Sequence, residues 1–218
     1  MSKIPFVVEH NFGKYAALKK AFYLTALEKL EGDYLEFGVF TGSSFVMALR
    51  TRHALLSISD TPTSFYGFDS FSGFGKVTAE DEHPFYKDDT FKVSVDKVTA
   101  NIKSRAKGAP VHIIPGFFEE SLAQNPAGKL GIRKIRVCLI DCDLKVPARV
   151  CLDYIGPLLQ EGAVLILDDY FSYRGRADLG VAGAFAEFQK ANPQMEWRHL
   201  VNYGYGGAVF IVSKLGRA

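Results

Sequence analysis

Residues 34–44 read YLEFGVFTGSS, that is Tyr34-Leu35-Glu36-Phe37-Gly38-Val39-Phe40-Thr41-Gly42-Ser43-Ser44. An aromatic and aliphatic run suited to a strand stops at Gly38, and Gly42 follows four residues later. Glycine at both places permits a tight turn with close backbone approach, and Ser43 or Ser44 can cap a helix that follows. The stretch therefore reads as strand, sharp turn, helix, the repeating unit of a parallel α/β sheet. It is not the dinucleotide pattern GxGxxG, because Phe40 stands where that loop wants glycine. Taken alone, a purely structural glycine turn explains these residues as well as a ligand-binding one.

The same alternation extends in both directions. Upstream, Ala17, Ala21, Leu24 and Leu27 recur at helical spacing, which predicts a helix over 14–31 with Gly32 as its cap. Downstream, a helix is expected over 43–53, a strand at SFYGFD (64–69) and a Gly- and charge-rich loop over 70–90. A helix over 91–105 and a strand at VHIIP (111–115) follow. The second half predicts a buried strand IRVCLID (135–141), a helix opening at Pro147 and a strand AVLILDD (163–169). A helix carrying Val181, Phe185 and Phe188 inward comes next. Two runs, EWRHLV (196–201) and GAVFIVS (207–213), are joined by so short a turn that they must pair antiparallel. The expected fold is α/β: a doubly wound, mostly parallel sheet ending in an antiparallel hairpin.

The chain has 218 residues, 48% hydrophobic and 23% charged, which fits one globular domain over 1–218 and excludes a disordered chain. Its 1–31 segment is expected to pack on or cover the site. Net charge is +2, from 26 basic and 24 acidic residues without a long run of either sign, so no nucleic-acid partner is expected. No apolar run approaches the roughly 18 residues that span a bilayer, so no membrane partner is expected either. The opening MSKIPFVVEHNFGK carries too short an apolar patch for a signal peptide, and the expected location is cytoplasmic. Cys138, Cys142 and Cys151 are an odd number within one segment. On one strand, Cys138 and Cys142 would lie about 13 Å apart, too far to chelate a single ion. All three read as small core residues.

In doubly wound sheets ligands bind outside the carboxyl ends of the strands. Asp69 and Ser70 end the second strand, and a carboxylate there suits the vicinal hydroxyls of a ribose, although it could equally form a turn or a helix cap. Asp141-Cys142-Asp143 ends the fourth strand and Asp168-Asp169 the fifth. These strands should be neighbours, so their carboxylates converge. Crowded carboxylates repel unless protonated or bridged by a cation, and oxygen-only donors select a hard ion such as Mg²⁺ or Ca²⁺. Helix capping is the competing reading for Asp143 and for one of the adjacent pair. The third strand runs into Pro115-Gly116-Phe117-Phe118, where the phenylalanines suit either an adenine or the core.

With these motifs in place, the sequence resembles the class I S-adenosylmethionine-dependent methyltransferases and, more narrowly, the macrocin O-methyltransferase family. The matching segments are YLEFGVFTGSS, FYGFDSF, FKVSVDKVTANI, PGFFEESL, IDCDL and LILDDY, in the family's order over about residues 33–170. The resemblance implies that Glu36, Gly38, Thr41, Gly42 and Ser43 line the methionine end of S-adenosyl-L-methionine. It implies that Asp69 binds the ribose with Ser70 nearby, and that Gly116 and Phe117 flank the adenine. Asp141, Asp168 and Asp169 would hold Mg²⁺, and Asp141 is also the candidate base. The implied sheet has seven strands, the implied acceptor is a small molecule or glycosyl group, and relatives commonly form homo-oligomers. The family usually has Tyr after the second Asp of the fourth-strand motif, where this chain has Leu144-Lys145.

Tyr170, Tyr173 and Arg174 follow the acidic pair and are expected to border an acceptor pocket. His83 lies in an acidic loop, Glu80-Asp81-Glu82-His83, that could fold over the acceptor but reads more simply as solvated. His112 reads as core edge, and His10, His53 and His199 show no partner signature. The leading function is Mg²⁺-dependent methylation of a sugar hydroxyl of a natural product or polysaccharide. A metal ion would lower the pKa of so poor a nucleophile and fix its oxygen. Three alternatives stand beside it: methylation of a catechol-like phenol, a nicotinamide-dependent oxidoreductase and a non-catalytic adenosine-binding module.

Overall fold

A computed structural model describes residues 5–87 and 91–216. The first four residues of the opening segment and the last three of the 70–90 loop lie outside them. The elements run α1 (Phe6–Leu27), β1 (Asp33–Phe37), α2 (Ser43–Ala54), β2 (Phe65–Asp69), α3 (Val95–Lys103), β3 (Val111–Pro115), α4 (Phe118–Gln124) and α5 (Ala127–Leu130). They continue with β4 (Ile135–Ile140), α6 (Lys145–Ile155), β5 (Val164–Leu167), α7 (Gly180–Ala191), β6 (Met195–Tyr203) and β7 (Gly207–Leu215).

The seven strands make one sheet in the order β3-β2-β1-β4-β5-β7-β6. β3, β2, β1, β4 and β5 are mutually parallel. β7 runs antiparallel to both β5 and β6, as the short connection requires. β4 is buried at every position, because helices cover both faces of the sheet. One core, between the sheet and α4, α6 and α7, includes Phe37, Phe68, Leu152 and Phe185. The opposite core includes Leu18, Phe22, Tyr34, Phe45 and Ile102. All three cysteines are free and buried in the first core, although Cys142 lies beyond the end of β4 rather than on the strand.

Helix boundaries differ from expectation at α1. It begins at Phe6, after Pro5, and ends at Leu27, while Gly32 is the lead-in to β1 and takes φ +134°. The buried stripe is Lys14, Ala17, Leu18, Ala21, Phe22, Thr25 and Ala26; Leu27 is exposed and Leu24 only half-buried. The helix is thus rotated from the face that the leucines suggested, and a lysine lies on the buried side. Gly13 explains how the first turns reach the sheet. A Cβ there would fall 2.5 Å from the backbone nitrogen of Gly204, in the β6–β7 turn.

Pro147 is the third residue of α6 rather than its first. α3 starts only at Val95, capped by Ser94, because Lys92 is held in a short antiparallel bridge to Ser72.

Candidate active site

The chain order reverses at β1, whose neighbours are β2 on one side and β4 on the other, and the crevice at their carboxyl ends opens into a cavity of about 630 Å³. That is the size of a small-molecule site. Gly38 makes the crevice. Its φ is +92°, and a Cβ would lie 1.8 Å from the carbonyl oxygen of Asp141, whose own amide donates to the Phe37 carbonyl at 2.8 Å. Phe40 takes the left-handed conformation, φ 47°, that a glycine would otherwise provide. Its amide donates to Asp69 Oδ2 at 2.7 Å, and the Phe71 amide donates to Asp69 Oδ1 at 2.6 Å. Burial pushes the Asp69 carboxyl up, against these amides. Ser70 donates to the Gly73 carbonyl at 2.6 Å and so shapes the turn beside Asp69.

Gly38, Thr41, Ser43, Asp69, Ser70, Gly116 and Phe117 all line the cavity. Glu36 and Gly42 do not. Glu36 is fully buried in β1, accepts from Ser44 Oγ at 2.6 Å and from the Tyr34 hydroxyl, and its pKa is pushed up to about 7 by burial. Ser44 therefore serves Glu36 instead of capping α2, whose N-cap is Gly42 without any side-chain bond. A Cβ on Gly42 would meet Ile102 of α3. Both residues shape the turn from behind.

Asp141, Asp168 and Asp169 come together, as β4 and β5 are neighbours. Each offers an oxygen within 4.8 Å of the others. Oxygen-only donors at this spacing suit a hard divalent ion, so the residues fit Mg²⁺ by chemistry. Asp143 also lines the cavity; burial and the Asp169 charge push its carboxyl well above the usual range. Asp143 does not cap α6. Asp81 does so from the 70–90 loop, accepting from the amides of Lys145 at 2.6 Å and Val146 at 3.3 Å.

Sequence reasoning missed the donors that α1 and the β6–β7 hairpin bring to these acids. Lys14 Nζ lies 2.6 Å from Asp141 Oδ2 and 2.8 Å from Asp168 Oδ2. Burial would lower the Lys14 pKa, but the two carboxylates overcome it and hold the ammonium charged. His10 Nε2 reaches both Asp168 oxygens at 3.1 Å, and its Nδ1 accepts from the Tyr205 amide at 3.2 Å. With Nδ1 accepting, the proton belongs on Nε2, which donates to Asp168. The Tyr203 hydroxyl donates to Asp168 Oδ1 at 2.5 Å. Burial opposes ionisation of Asp168, yet Lys14 and His10 hold it well below the usual carboxylate range. Burial and the Asp168 charge push Asp141 up. One signal was present: Lys14 is in step with Ala17, Leu18 and Ala21 on the buried stripe.

The three residues expected to border an acceptor pocket do not line the cavity. Tyr170 packs on Phe210 with ring centroids 5.4 Å apart, Tyr173 is buried with its hydroxyl donating to the Asp81 carbonyl, and Arg174 is exposed. The turn after β5 is short and left-handed at Tyr173 and Arg174, which swings these side chains away. Phe6, Val7, His10 and Asn11 of α1 and Phe74, Phe85 and Phe91, which flank the acidic loop, line the cavity. Glu80 and Glu82 of the acidic loop are exposed, as a solvated loop requires, but Asp81 is buried. His83 stacks on Tyr86, centroids 4.3 Å apart, and the Tyr86 hydroxyl donates to Asp169 Oδ1 at 3.2 Å. Among the described residues no helix is long and apolar enough to cross a membrane.

The sequence model of the Macrocin-O-methyltransferase (TylF) family matches residues 13–196. A curated relative from Streptomyces olivaceus, 8-demethyl-8-(2,3-dimethoxy-alpha-L-rhamnosyl)-tetracenomycin-C 4'-O-methyltransferase, is 28% identical over 185 residues. The alignment takes in 77% of this chain and 66% of that relative, so the chain spans just under two thirds of its length. Among solved structures, the O-methyltransferase NovP superposes with a TM-score of 0.73 at 19% identity, over 93% of this chain and 80% of NovP. CalS11, a calicheamicin methyltransferase, gives 0.71 at 18% identity, over 93% and 79%.

Proposed function

The chain belongs to the macrocin O-methyltransferase family of class I S-adenosylmethionine-dependent O-methyltransferases, and from that premise we propose that it methylates a sugar hydroxyl of a glycosylated natural product or polysaccharide in a Mg²⁺-dependent reaction. The observation that carries this reading is one cavity with two chemistries. A glycine turn, Asp69 and Gly116-Phe117 line one part of it, and the acids after β4 and β5 line another. A rhamnosyl acceptor in the name of the curated relative supports the sugar class over a catechol. Membership of a methyltransferase family argues against the oxidoreductase and favours an enzyme over a non-catalytic module.

In this reading Thr41 and Ser43 face the methionine end of the donor, Asp69 accepts from the ribose hydroxyls, and Gly116 and Phe117 flank the adenine. Glu36, Gly42 and Ser70 hold the two turns in shape. Methyl transfer is an in-line displacement. The S–CH₃ bond of the sulfonium breaks as an O–CH₃ bond forms, the sulfur leaves as the neutral thioether, and the hydroxyl proton must go to a base. Asp141, on the cavity wall at the end of β4, is the candidate to take it. Asp143 is the second candidate for that role, because it lines the same cavity and is not one of the three carboxylates that fit the ion. When bound by Asp141, Asp168 and Asp169, Mg²⁺ supplies a Lewis acid that polarises the acceptor oxygen and a template that orients it. Phe74, Phe85 and Phe91 give the cavity an aromatic wall that stays open to solvent at Phe85 and Phe91.

Titration calorimetry with S-adenosylhomocysteine, with and without Mg²⁺, tests the donor and metal together. Binding is expected in the wild type, weakened by Asp69→Ala, with the metal response lost in Asp168→Ala. Methyl transfer to a rhamnosylated acceptor rather than to a catechol is the expected specificity. Transfer confined to the catechol would overturn the sugar assignment, and absence of any cofactor binding would overturn the whole reading.

A further inference from the structure

Lys14 occupies the place in the acidic cluster where a cation belongs. Its ammonium is in hydrogen-bond contact with Oδ2 of both Asp141 and Asp168, two of the three carboxylates that fit a divalent ion. An ion bridging those oxygens would lie about 2.0–2.6 Å from each, depending on whether it is Mg²⁺ or Ca²⁺. On the side of the two oxygens where the ammonium sits, that is inside the space it fills, so the lysine and the ion compete for one seat. Nor is Lys14 a surface side chain that happened to fold inward. It lies on the buried stripe of α1, and the Gly13–Gly204 approach brings this part of the helix against the β6–β7 turn. One turn earlier, His10 donates to the same Asp168. Phe6 and Val7, a further turn back, line the cavity.

We propose that Lys14 is a built-in placeholder for the divalent ion: its ammonium holds Asp141 and Asp168 together until a metal ion takes the same oxygens, and metal entry releases the lysine from the site. This rests on the metal reading of the acids given above. The placeholder keeps two buried carboxylates from facing each other without a cation, a state that is costly in a low-dielectric interior. It also ties metal loading to α1, the helix whose first turns line the cavity beside the acids.

The test uses Mn²⁺ as the probe, in the presence of S-adenosylhomocysteine, on the wild type and on Lys14→Met, which keeps the length of the side chain and removes the charge. Mn²⁺ is expected to bind the variant about tenfold more tightly or better, since the competitor is gone. The melting temperature of the metal-free variant should be below that of the wild type, and Mn²⁺ should raise it by more than it raises the wild type. A second measurement needs no variant. Amine acylation of the wild type, read by mass spectrometry, should show Lys14 becoming reactive at saturating Mn²⁺ while the exposed Lys134 is unchanged. Metal binding confined to the variant would overturn the placeholder, because the lysine would then stand in for the ion permanently rather than yield to it. Equal or weaker Mn²⁺ binding by Lys14→Met, or Lys14 acylation that saturating Mn²⁺ leaves unmoved, would overturn the placeholder while leaving the metal site standing. Absence of Mn²⁺ binding in both proteins would overturn the metal site and the placeholder with it.

Discussion

Glu36 makes stability depend on pH in a way that a single substitution isolates. The side chain is fully buried in β1, accepts from Ser44 and Tyr34, and is pushed up by burial from 4.5 to about 7. Below pH 4.5 both the folded and unfolded chains hold the proton, and the contribution of Glu36 is at its most favourable. Between 4.5 and 7 the unfolded chain releases its proton while the folded chain keeps it, so stability falls as pH rises; above 7 the loss is complete. Each pKa unit is worth about 1.4 kcal/mol, so the whole span amounts to about 3 kcal/mol. Glu36→Gln cannot ionise, and its amide still meets both hydroxyls, because each can turn to donate or accept. Urea unfolding of both proteins at pH 5 and pH 8 should show the wild type losing about 2–3 kcal/mol relative to the variant over that interval. With an m-value of about 2 kcal/mol/M, the difference in midpoint moves by about 1 M. Groups common to both proteins cancel. Midpoints that keep a constant separation across this range would refute the buried, proton-holding Glu36.

Three further outcomes follow from the geometry. Gly38→Ala places a methyl group 1.8 Å from the Asp141 carbonyl in a left-handed position, so S-adenosylhomocysteine binding by calorimetry should be lost even where circular dichroism retains the sheet. Gly13→Ala forces α1 off the Gly204 backbone; acceptor KM should rise while donor affinity stays within about twofold, whereas an unchanged KM would separate α1 from the acceptor wall. Asp81→Ala removes the acceptor from the Lys145 and Val146 amides at the start of α6 and should cost about 1–2 kcal/mol by chemical denaturation. No measurable loss there would mean that water replaces the carboxylate.

The sheet was legible because its signals are local and periodic: apolar runs at 135–140 and 164–167, glycines that only a turn explains, and a final pair too close to be anything but a hairpin. The acids were legible for a related reason. Asp69 ends β2 and Asp141 and Asp168 follow β4 and β5 directly, so knowing the sheet locates them. What stayed hidden was long-range pairing. His10 and Asp168 are 158 residues apart, and no local pattern connects them. The α1 face was misread because Leu24 and Leu27 looked like the buried stripe, whereas the stripe runs through a lysine that only a buried carboxylate pair makes tolerable. Tyr170, Tyr173 and Arg174 were placed by proximity in sequence to Asp169, but left-handed backbone after β5 sends them elsewhere.

The partners of Asp168 also set an order of completion during synthesis. His10 and Lys14 precede Asp168 in the chain and Tyr203 follows it by 35 residues, so the carboxylate emerges before its final donor. Strands β1 to β5 can pair as they appear, yet β5 keeps an open edge until β7 arrives beside it. A nascent chain stalled before the hairpin therefore presents both an unpaired strand and a half-neutralised acid pocket to chaperones. The acid end of the cavity is therefore completed only once the hairpin is made, and a translational pause placed between residues 168 and 203 is where quality control would meet it exposed.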